Sequence, residues 1–423
     1  MIKLEKITLP NKMRVVVAPM RSTEAVTVMI LVRAGSRYET KEINGIAHFL
    51  EHMFFKGGER YPTPRQVSEA IDRIGGEFNA FTSDEYVGYY VKVAREHTEV
   101  AFDVLSDMMF NAKFDPDGLE RERGVILEEY NMYEDTPVRK IWDDFERLIF
   151  GDHPLGWSTI GTKTLIKSVK QEDFIAYRTR LYSAPNIVVA VAGNITPTQA
   201  KRLVEEYLPY KKTVKKNQPT LYRETKRTKR SEILYKKTEQ AHLVLGVPSF
   251  GSSHPDKYVA TVLAAILGGG MSSRLFMSVR ERLGLAYYVR AAAQHYTDAG
   301  YLVASAGVDV NRVDLAIKTI LDEFRDITRS KVPIEELAKA KEFLVGGMVR
   351  GLEHSDEVAY TFGLQDLLHD KIESVETMKR KIHAVTTDQV QRLARKLFTD
   401  NKLVLTVIGP YKDASKVKRF YRL

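Results

Sequence analysis

The residues with the clearest chemical potential in this chain lie within five positions of one another: His48, Glu51 and His52. On an α-helix, residues three and four positions apart share a face, so these three side chains would point the same way. Neutral imidazole is the commonest metal ligand, and two imidazoles with a carboxylate and one open position make a catalytic zinc site. The spacing His-x-x-Glu-His is the reverse of His-Glu-x-x-His, and both are metalloprotease signatures. Glu51 is then expected to be the general base that accepts a proton from a zinc-bound water.

Exposed helices also carry His and Glu without binding a metal, so the motif alone does not establish a zinc site. A catalytic zinc site requires a third protein ligand. Four acids of one predicted helix, residues 115–133, compete for this role: Glu120, Glu122, Glu128 and Glu129. At about 100° per residue, Glu122 and Glu129 lie at the margin of the apolar stripe of this helix, whereas Glu128 points to solvent. Glu129 is therefore predicted to be the ligand, and Glu122 to support it from about two turns away. Periodicity alone leaves open that both are ordinary exposed acids.

The composition is that of an ordinary globular protein. The 423 residues are too many for one average core, and hydrophobic residues make up 44% and charged residues 28%. No stretch approaches the roughly 18 apolar residues of a membrane span, and the first residues lack the apolar run of a signal peptide. A cytoplasmic location without a membrane partner is expected. The absence of cysteine excludes disulfides, thiolate ligands and cysteine nucleophiles, so a metal must be held by His, Asp or Glu.

The net charge of +9 is concentrated in one segment. Residues 211–230 contain nine Lys or Arg and a single acid, together with a proline and little apolar periodicity. A solvated basic linker is the favoured interpretation, with binding to an anionic surface as the minority alternative, and no nucleic-acid partner is expected. The linker separates a predicted zinc-binding domain, residues 1–210, from a second domain, residues 231–423.

Strand and helix signals alternate along the chain, and the second half repeats the order of the first. Asn44 can cap the motif helix, and Thr63 followed by Pro64 marks the start of the next helix. The run 187–192 before a glycine resembles the run 403–408 before another glycine. We therefore predict an α+β protein of two homologous α/β-sandwich-like halves, each an antiparallel-rich sheet packed with helices, related by duplication.

The two halves differ in their chemistry. The second half has no His-x-x-Glu-His, and aligning Leu337 with Leu119 places two glycines where Glu128 and Glu129 stand. Its glycine run 268–270 lacks the Lys-Ser/Thr of a phosphate-binding loop and is interpreted as a flexible connection. One zinc ion per chain, held in the first half, follows from this asymmetry.

Several longer motifs identify a family. The chain resembles the pitrilysin-type (inverzincin) zinc metallopeptidases, which include insulin-degrading enzyme and the mitochondrial processing peptidases, and it is most similar to bacterial-type single-chain members. The resemblance covers essentially the whole chain. In the first half it is carried by five stretches: Gly35–Glu39, Gly45–Met53, Phe55–Gly57, Asn79–Thr82 and Glu122–Glu129. It implies that His48, His52 and Glu129 bind zinc and that Glu51 is the base.

The resemblance also implies substrate-binding residues. In the second half, Arg280 and Tyr287 match an Arg and a Tyr, seven positions apart, that hold the substrate backbone and stabilise the oxyanion in active family members. Without the resemblance neither residue stands out. In the first half, one stretch is similar to the family's edge strand that pairs with an extended peptide: Asn79, Ala80, Phe81 and Thr82.

The function implied is a zinc-dependent endopeptidase that cleaves short or unfolded peptides. Family members enclose a chamber between two facing halves of two domains each, so a two-domain chain implies a homodimer, with a heterodimer left open. Arg280 and Tyr287 of one subunit would then complete the zinc site of the other. The alternative is a non-catalytic peptide-binding or partner subunit of a processing-peptidase-like complex. A structural zinc would need a fourth protein ligand, for which His97 and His153 are spare, although His153 is expected to pack a loop.

Overall fold

The structure is a computed structural model that describes most of the chain: residues 3–208, 216–224, 229–413, 415–418 and 421–423. Two parts of the predicted basic linker, residues 211–215 and 225–228, lie outside these ranges. No helix within the described ranges is long and apolar enough to cross a membrane.

The described chain contains eleven strands and fifteen α-helices. In chain order these are β1 (Glu5–Thr8), β2 (Arg14–Pro19), β3 (Ala25–Val32), α1 (Ile46–Phe54), α2 (Pro64–Asp72), β4 (Glu77–Thr82), β5 (Val87–Ala94), α3 (Thr98–Phe110), α4 (Pro116–Asp135), α5 (Pro137–Phe150), α6 (Lys163–Ser168), α7 (Gln171–Leu181), β6 (Ile187–Gly193), α8 (Pro197–Tyr207), β7 (Ser231–Tyr235), β8 (Gln240–Phe250), α9 (Lys257–Gly268), β9 (Ala286–His295), β10 (Ala299–Asp309), α10 (Val313–Arg329), α11 (Ile334–Gly351), α12 (Ser355–His369), α13 (Val375–His383), α14 (Thr387–Leu397), β11 (Val404–Gly409) and α15 (Ser415–Lys418). A π-helical segment, Phe276–Arg282, lies between α9 and β9.

The chain forms two compact units, and neither is continuous in sequence. The first unit contains Met1–Asn131, Trp157–Thr220 and Arg350–Glu373, and the second contains Met132–Gly156, Leu221–Val349 and Ser374–Leu423. The units therefore differ from the predicted continuous domains, residues 1–210 and 231–423. Helix α5 comes from the first half of the sequence but belongs to the second unit, and α12 comes from the second half but belongs to the first.

A six-stranded mixed sheet forms the centre of the first unit, in the order β1-β2-β6-β3-β5-β4. Only β2 and β6 run parallel to each other, and the other neighbours are antiparallel. Strand β6 is buried along its whole length and β3 along nearly all of it, in agreement with their predominantly apolar sequences. Strand β4 pairs only with β5 among the described strands, so its outer edge retains main-chain groups for a further strand.

Helix α12 joins the first unit because its residues fit the sheet closely. A Cβ atom at Gly363 would lie 2.7 Å from Ala190 Cβ on β6 and 2.8 Å from Leu31 Cδ1 on β3, so only glycine fits there. Near the helix end, the main-chain carbonyl of Asp366 accepts a hydrogen bond of 2.8 Å from Arg14, which lies 352 positions earlier on β2. The local signals of α12 predict a helix, but only these distant contacts decide which sheet it covers.

The second unit is built on a five-stranded sheet in the order β7-β11-β8-β10-β9. Strands β7 and β11 are parallel, and the remaining pairs are antiparallel. Helix α5 packs on this sheet: the rings of Phe145 and Tyr301 lie 5.4 Å apart in an edge-to-face arrangement. The carboxylate of Glu146 accepts hydrogen bonds from the hydroxyls of Tyr296 and Tyr301, at 2.9 and 2.8 Å. These contacts explain why α5 belongs to the second unit.

The two sheets confirm the predicted α+β architecture of two related halves. Without β1, the order β2-β6-β3-β5-β4 corresponds strand by strand to β7-β11-β8-β10-β9. The two similar runs found in the sequence become β6 and β11, and each is parallel to one neighbour and antiparallel to the other. The sheets are mixed rather than purely antiparallel, although antiparallel pairs predominate.

The glycine run at the end of α9, residues 268–270, is closely packed. A Cβ atom at Gly268 would lie 2.2 Å from the main-chain nitrogen of Ala291 on β9. At Gly269 and at Gly270, a Cβ atom would come within 3.1 Å of the Phe343 ring on α11. Close approach of neighbouring elements therefore accounts for these glycines, and the expectation of a simple flexible connection is corrected.

Candidate metal centre

Helix α1 carries both histidines of the motif and is nine residues long. Its other face is buried and apolar: Ile46, Ala47, Phe49, Leu50, Met53 and Phe54. His48 and His52 share the remaining face, with their ring centroids 4.7 Å apart and their ring planes inclined by 63°. Packing of the apolar face therefore orients the two imidazoles toward the same space.

The first turn of α1 is capped by Glu39. The sequence had predicted Asn44 as the cap. Glu39 Oε2 accepts the N–H of Gly45, and Glu39 Oε1 accepts that of Ala47, each at 2.8 Å. The Asn44 amide donates to Glu39 Oε2 at 3.0 Å and to the carbonyl of Ser158 at 3.1 Å, so it orients the cap. The prediction was wrong because helix-start rules consider the residue adjoining the helix, whereas this carboxylate comes from several positions earlier.

Helix α4 supplies the carboxylate that faces the two imidazoles. Glu129 Oε2 lies 3.6 Å from His48 Nε2 and 3.5 Å from His52 Nε2. The neighbouring Glu128 is exposed to solvent. The helical periodicity that favoured Glu129 over Glu128 thus agrees with the observed positions of both side chains.

The three donor groups fit a zinc ion. Their ligand atoms lie within 4.8 Å of one another. Tetrahedral zinc with bonds of about 2.0–2.2 Å holds neighbouring donors roughly 3.3–3.6 Å apart, in agreement with the separations to Glu129. No further His, Asp or Glu joins this group within the described ranges. Of the two spare histidines, His153 accepts the N–H of Leu155 at Nδ1 (3.1 Å), as expected for loop packing, and His97 precedes α3.

His52 is held by a chain of two further residues. Its Nδ1 lies 2.9 Å from Glu122 Oε1, and the ammonium group of Lys56 pairs with Glu122 Oε2. Burial acts to raise the pKa of Glu122, but the hydrogen bonds from His52 and Lys56 outweigh it and lower the pKa below its ordinary value. A proton on Nδ1, directed at an ionised carboxylate, leaves Nε2 free for a metal. Glu122 thus lies where the sequence expected a supporting group, whereas Lys56 was not singled out.

His48 has no comparable support. Its Nδ1 is buried and has no hydrogen-bond partner among the described residues. Burial, and then the neighbouring His52, lowers the pKa of His48 to about 3. The ring is therefore neutral at physiological pH, which is the state that binds metal. No hydrogen bond at Nδ1 therefore orients this ring among the described residues, and its position depends strongly on the backbone of α1.

Glu51 lies on the same helix and is linked to the edge strand. Thr82 Oγ1, at the end of β4, donates a hydrogen bond of 2.5 Å to Glu51 Oε2. Burial raises the pKa of Glu51, although the Thr82 hydrogen bond and His52 partly offset this. A raised carboxyl pKa suits a general base. The sequence assigned Thr82 to peptide binding only, and this contact with the expected base was missed because it joins residues distant in sequence.

The rest of the expected peptide-binding stretch follows β4. Asn79 is exposed, and its side-chain oxygen accepts the N–H of Ala80 at 2.9 Å. The ring of Phe81 packs edge-on against Tyr86 and Tyr360, with centroids 6.2 and 5.6 Å away. Main-chain pairing on one side and this packing fix β4 while leaving its outer edge open.

Arg280 and Tyr287 lie in the second unit. The Arg280 guanidinium carbon is 4.8 Å from the centroid of the Phe276 ring and 5.9 Å from that of Tyr287. Arg280 belongs to the π-helical segment, a conformation that is often found at functional sites. Tyr287, on β9, is 73% exposed. The two side chains are therefore neighbours, and Tyr287 is accessible.

The chain is similar to known proteins along almost its whole length. The family description "Insulinase (Peptidase family M16)" matches residues 14–163, and "Peptidase M16 inactive domain" matches residues 168–344. The uncharacterized zinc protease YmxG of Bacillus subtilis is 36% identical over 410 residues, which are 96% of this chain and 98% of the relative. An uncharacterized zinc protease of Streptomyces coelicolor is 35% identical, over 97% of this chain and 90% of the relative.

Solved structures share the fold at lower sequence identity. A protease from Helicobacter pylori superposes with a TM-score of 0.89 at 22% identity, covering 97% of this chain and 100% of that one. A peptidase M16 inactive domain from Pseudomonas fluorescens superposes with a TM-score of 0.86 at 19% identity, covering 96% and 98%. The sequence matches, the shared fold and the His-His-Glu cluster lead to one conclusion: the chain belongs to peptidase family M16, the pitrilysin-type family.

Proposed function

We propose that this chain is a zinc-dependent endopeptidase that cleaves short or unfolded peptides in an enclosed chamber. The observation that carries the proposal is the convergence of His48, His52 and Glu129 at spacings suited to zinc, with Glu51 on the same helix. The names of the relatives from Bacillus subtilis and Streptomyces coelicolor support the same chemistry.

The proposed reaction divides its work between the metal and the side chains around it. Zinc, when bound, supplies Lewis-acid chemistry that polarises a peptide carbonyl and lowers the pKa of a water molecule. Glu51 accepts the proton of the attacking water and returns it to the leaving amine. The hydrogen bond from Thr82 holds Glu51 Oε2, which leaves Oε1 to carry the proton.

The proposed substrate class follows from the open edge of β4. An extended peptide that adds to this edge gains main-chain hydrogen bonds, which depend little on its sequence. Asn79, Ala80 and Phe81 would border the peptide, and Thr82 would connect its binding to Glu51. A folded protein does not offer a free strand, so unfolded segments and short peptides are the expected substrates.

We further propose that the chain acts as a homodimer in which Arg280 and Tyr287 of one subunit serve the zinc site of the other. Mixing an Arg280→Ala chain with a Glu51→Gln chain tests this sharing. In the mixed dimer alone, one zinc site combines an intact Glu51 from one subunit with an intact Arg280 from the other. Recovered activity in the mixture is expected. A mixture as inactive as either parent would contradict the sharing and would leave a heterologous partner to be sought by mass measurement of the native complex.

The function is tested with a mixture of peptides of varied sequence, incubated with and without a zinc chelator. Cleavage by the wild-type chain, its loss with chelator and its return with zinc are expected. Glu51→Gln should retain zinc and lose hydrolysis by at least about a hundredfold, the typical range for a general base. Unchanged turnover in Glu51→Gln would remove Glu51 from the mechanism.

The rival function is a non-catalytic peptide-binding or partner subunit. The match of residues 168–344 to a domain described as inactive favours this possibility for that part of the chain. The first unit, however, has all three candidate ligands and Glu51. Zinc binding and peptide binding without any cleavage would favour the rival. A cytoplasmic location is a further part of the proposal, and fractionation of the source cells with an antibody to the chain tests it.

A further inference from the structure

The two imidazoles of the candidate centre are held in different ways. The Nδ1 atom of His52 is fixed by Glu122, whereas the buried Nδ1 atom of His48 has no partner among the described residues. The position of the His48 ring therefore depends on how firmly the first turn of α1 is placed. His48 is the third residue of this helix.

Glu39 is the residue that fixes this turn. Its two carboxylate oxygens accept the N–H groups of Gly45 and Ala47, and Ala47 immediately precedes His48. The Asn44 amide donates a third hydrogen bond, to Glu39 Oε2. Glu39 is only 5% exposed, so water does not compete strongly for these contacts.

The charge of Glu39 has a second effect on the same turn. The amino end of an α-helix carries a partial positive charge, which disfavours a cation bound to a residue of its first turn. A carboxylate at that end offsets this field. We propose that Glu39 is a positioning residue for the zinc site, which places His48 and offsets the positive end of α1 so that a divalent cation binds there. This inference rests on the proposed function, because it concerns the same metal site.

A purely stabilising role explains Glu39 less well. Burial raises the pKa of Glu39 to about 7, although the three N–H donors lower it. Its folded pKa therefore lies above the unfolded value, and ionising this carboxyl as the pH approaches neutrality works against folding. An effect of Glu39 on metal affinity therefore distinguishes a role at the metal site from a role in folding alone.

The chain offers a matched control in Asp107. Its buried carboxylate also accepts main-chain N–H groups, those of Arg60 and Tyr61 at 3.0 and 2.9 Å, but those residues belong to the loop after α1 and none is a candidate ligand. Asp107→Asn and Glu39→Gln are the same isosteric change from carboxylate to amide, made in the same unit. Glu39→Gln alters the cap of α1, whereas Asp107→Asn alters the loop after α1.

The test compares zinc affinity of the metal-free proteins, measured by competition with a chromophoric chelator, and the visible spectra of the cobalt-substituted proteins. Glu39→Gln should weaken zinc binding by roughly three- to thirtyfold and alter the cobalt spectrum, while its thermal midpoint falls less than that of Asp107→Asn. Asp107→Asn should keep wild-type zinc affinity. Glu39→Asp, which keeps the charge but shortens its reach, should bind zinc with intermediate affinity and provides a second variant if Glu39→Gln does not fold.

Wild-type zinc affinity and an unchanged cobalt spectrum in Glu39→Gln would overturn the inference and leave the proposed function intact. An equal loss of zinc in Asp107→Asn would also overturn it, because general loosening of the first unit would then explain the effect. A wild-type chain that binds no zinc would overturn both the inference and the proposed function.

Discussion

Replacing Glu122 by glutamine perturbs the candidate centre without touching a ligand. The His52 Nδ1 to Glu122 Oε1 hydrogen bond is 2.9 Å long, and the two side chains are 22% and 7% exposed. Glutamine keeps the shape and one acceptor oxygen but removes the charge that orients the imidazole and pairs with Lys56. We expect Glu122→Gln to fold and to bind zinc more weakly.

The size of the effect follows from the change in the hydrogen bond. A hydrogen bond to a charged group contributes about 1.5–3 kcal/mol, and a neutral one about 0.5–1.5 kcal/mol. The difference, ~1–2 kcal/mol, corresponds to a roughly 5- to 30-fold lower zinc affinity. Groups that hold a ligating histidine in other metal sites have effects of about 10- to 100-fold, so the two ranges overlap between about 10- and 30-fold.

The measurement is a zinc titration of the metal-free protein against a competing chelator at fixed pH and ionic strength. Glu128→Gln is the matched control, because it makes the same charge change on the same helix at an exposed position. It should keep wild-type affinity. The reasoning would be refuted if Glu122→Gln bound zinc as tightly as the wild type, or if Glu128→Gln lost as much affinity, since a general charge effect would then suffice.

Two further predictions concern stability. Although burial opposes it, hydrogen bonds from Asn111 and from the N–H groups of the 59–61 loop hold the pKa of Asp107 below its ordinary value. Below about pH 4 the unfolded chain therefore binds more protons than the folded one, and the stability supplied by Asp107 is lost as the pH falls through the folded pKa. Asp107→Asn should lower the free energy of unfolding by ~1–3 kcal/mol at pH 7 and make that free energy depend less on pH in the acid range. Urea titrations at several pH values measure both effects. An unchanged dependence on acid pH would contradict this prediction. Gly363→Ala should destabilise the first unit by ~1–3 kcal/mol, because the new Cβ would overlap atoms of β3 and β6. Gly347→Ala is the control, because Gly347 lies in a helix and no atom lies within 4 Å of the new Cβ. This control variant should be neutral or stabilised by ~1 kcal/mol. Equal thermal midpoints for the two glycine variants would be evidence against the close approach of α12 to the sheet.

Local patterns predicted much of the candidate site. The i, i+4 spacing of His48 and His52 is sufficient to place both rings on one helix face, and helical periodicity separates Glu129 from Glu128. Thr63 acts as the predicted N-cap of α2, with its side chain accepting the N–H of Gln66. These features depend on neighbours within one helix, so the sequence carries them directly.

Other features depend on contacts between distant segments. The exchange of α5 and α12 between the two units was not predicted, because a helical pattern indicates an apolar face but not the sheet that covers it. The cap of α1 comes from Glu39, outside the window in which Asn44 was the obvious candidate. Lys56 and the bond from Thr82 to Glu51 were missed for the same reason.

The most direct test is to locate the metal in crystals of the zinc-loaded protein by anomalous diffraction at the zinc edge. We expect one zinc ion per chain, bonded at about 2.0–2.2 Å to His48, His52 and Glu129, with no fourth protein ligand. Zinc at another position, a fourth protein ligand, or a loaded protein in which Glu129 stays away from the metal would contradict the proposed catalytic centre.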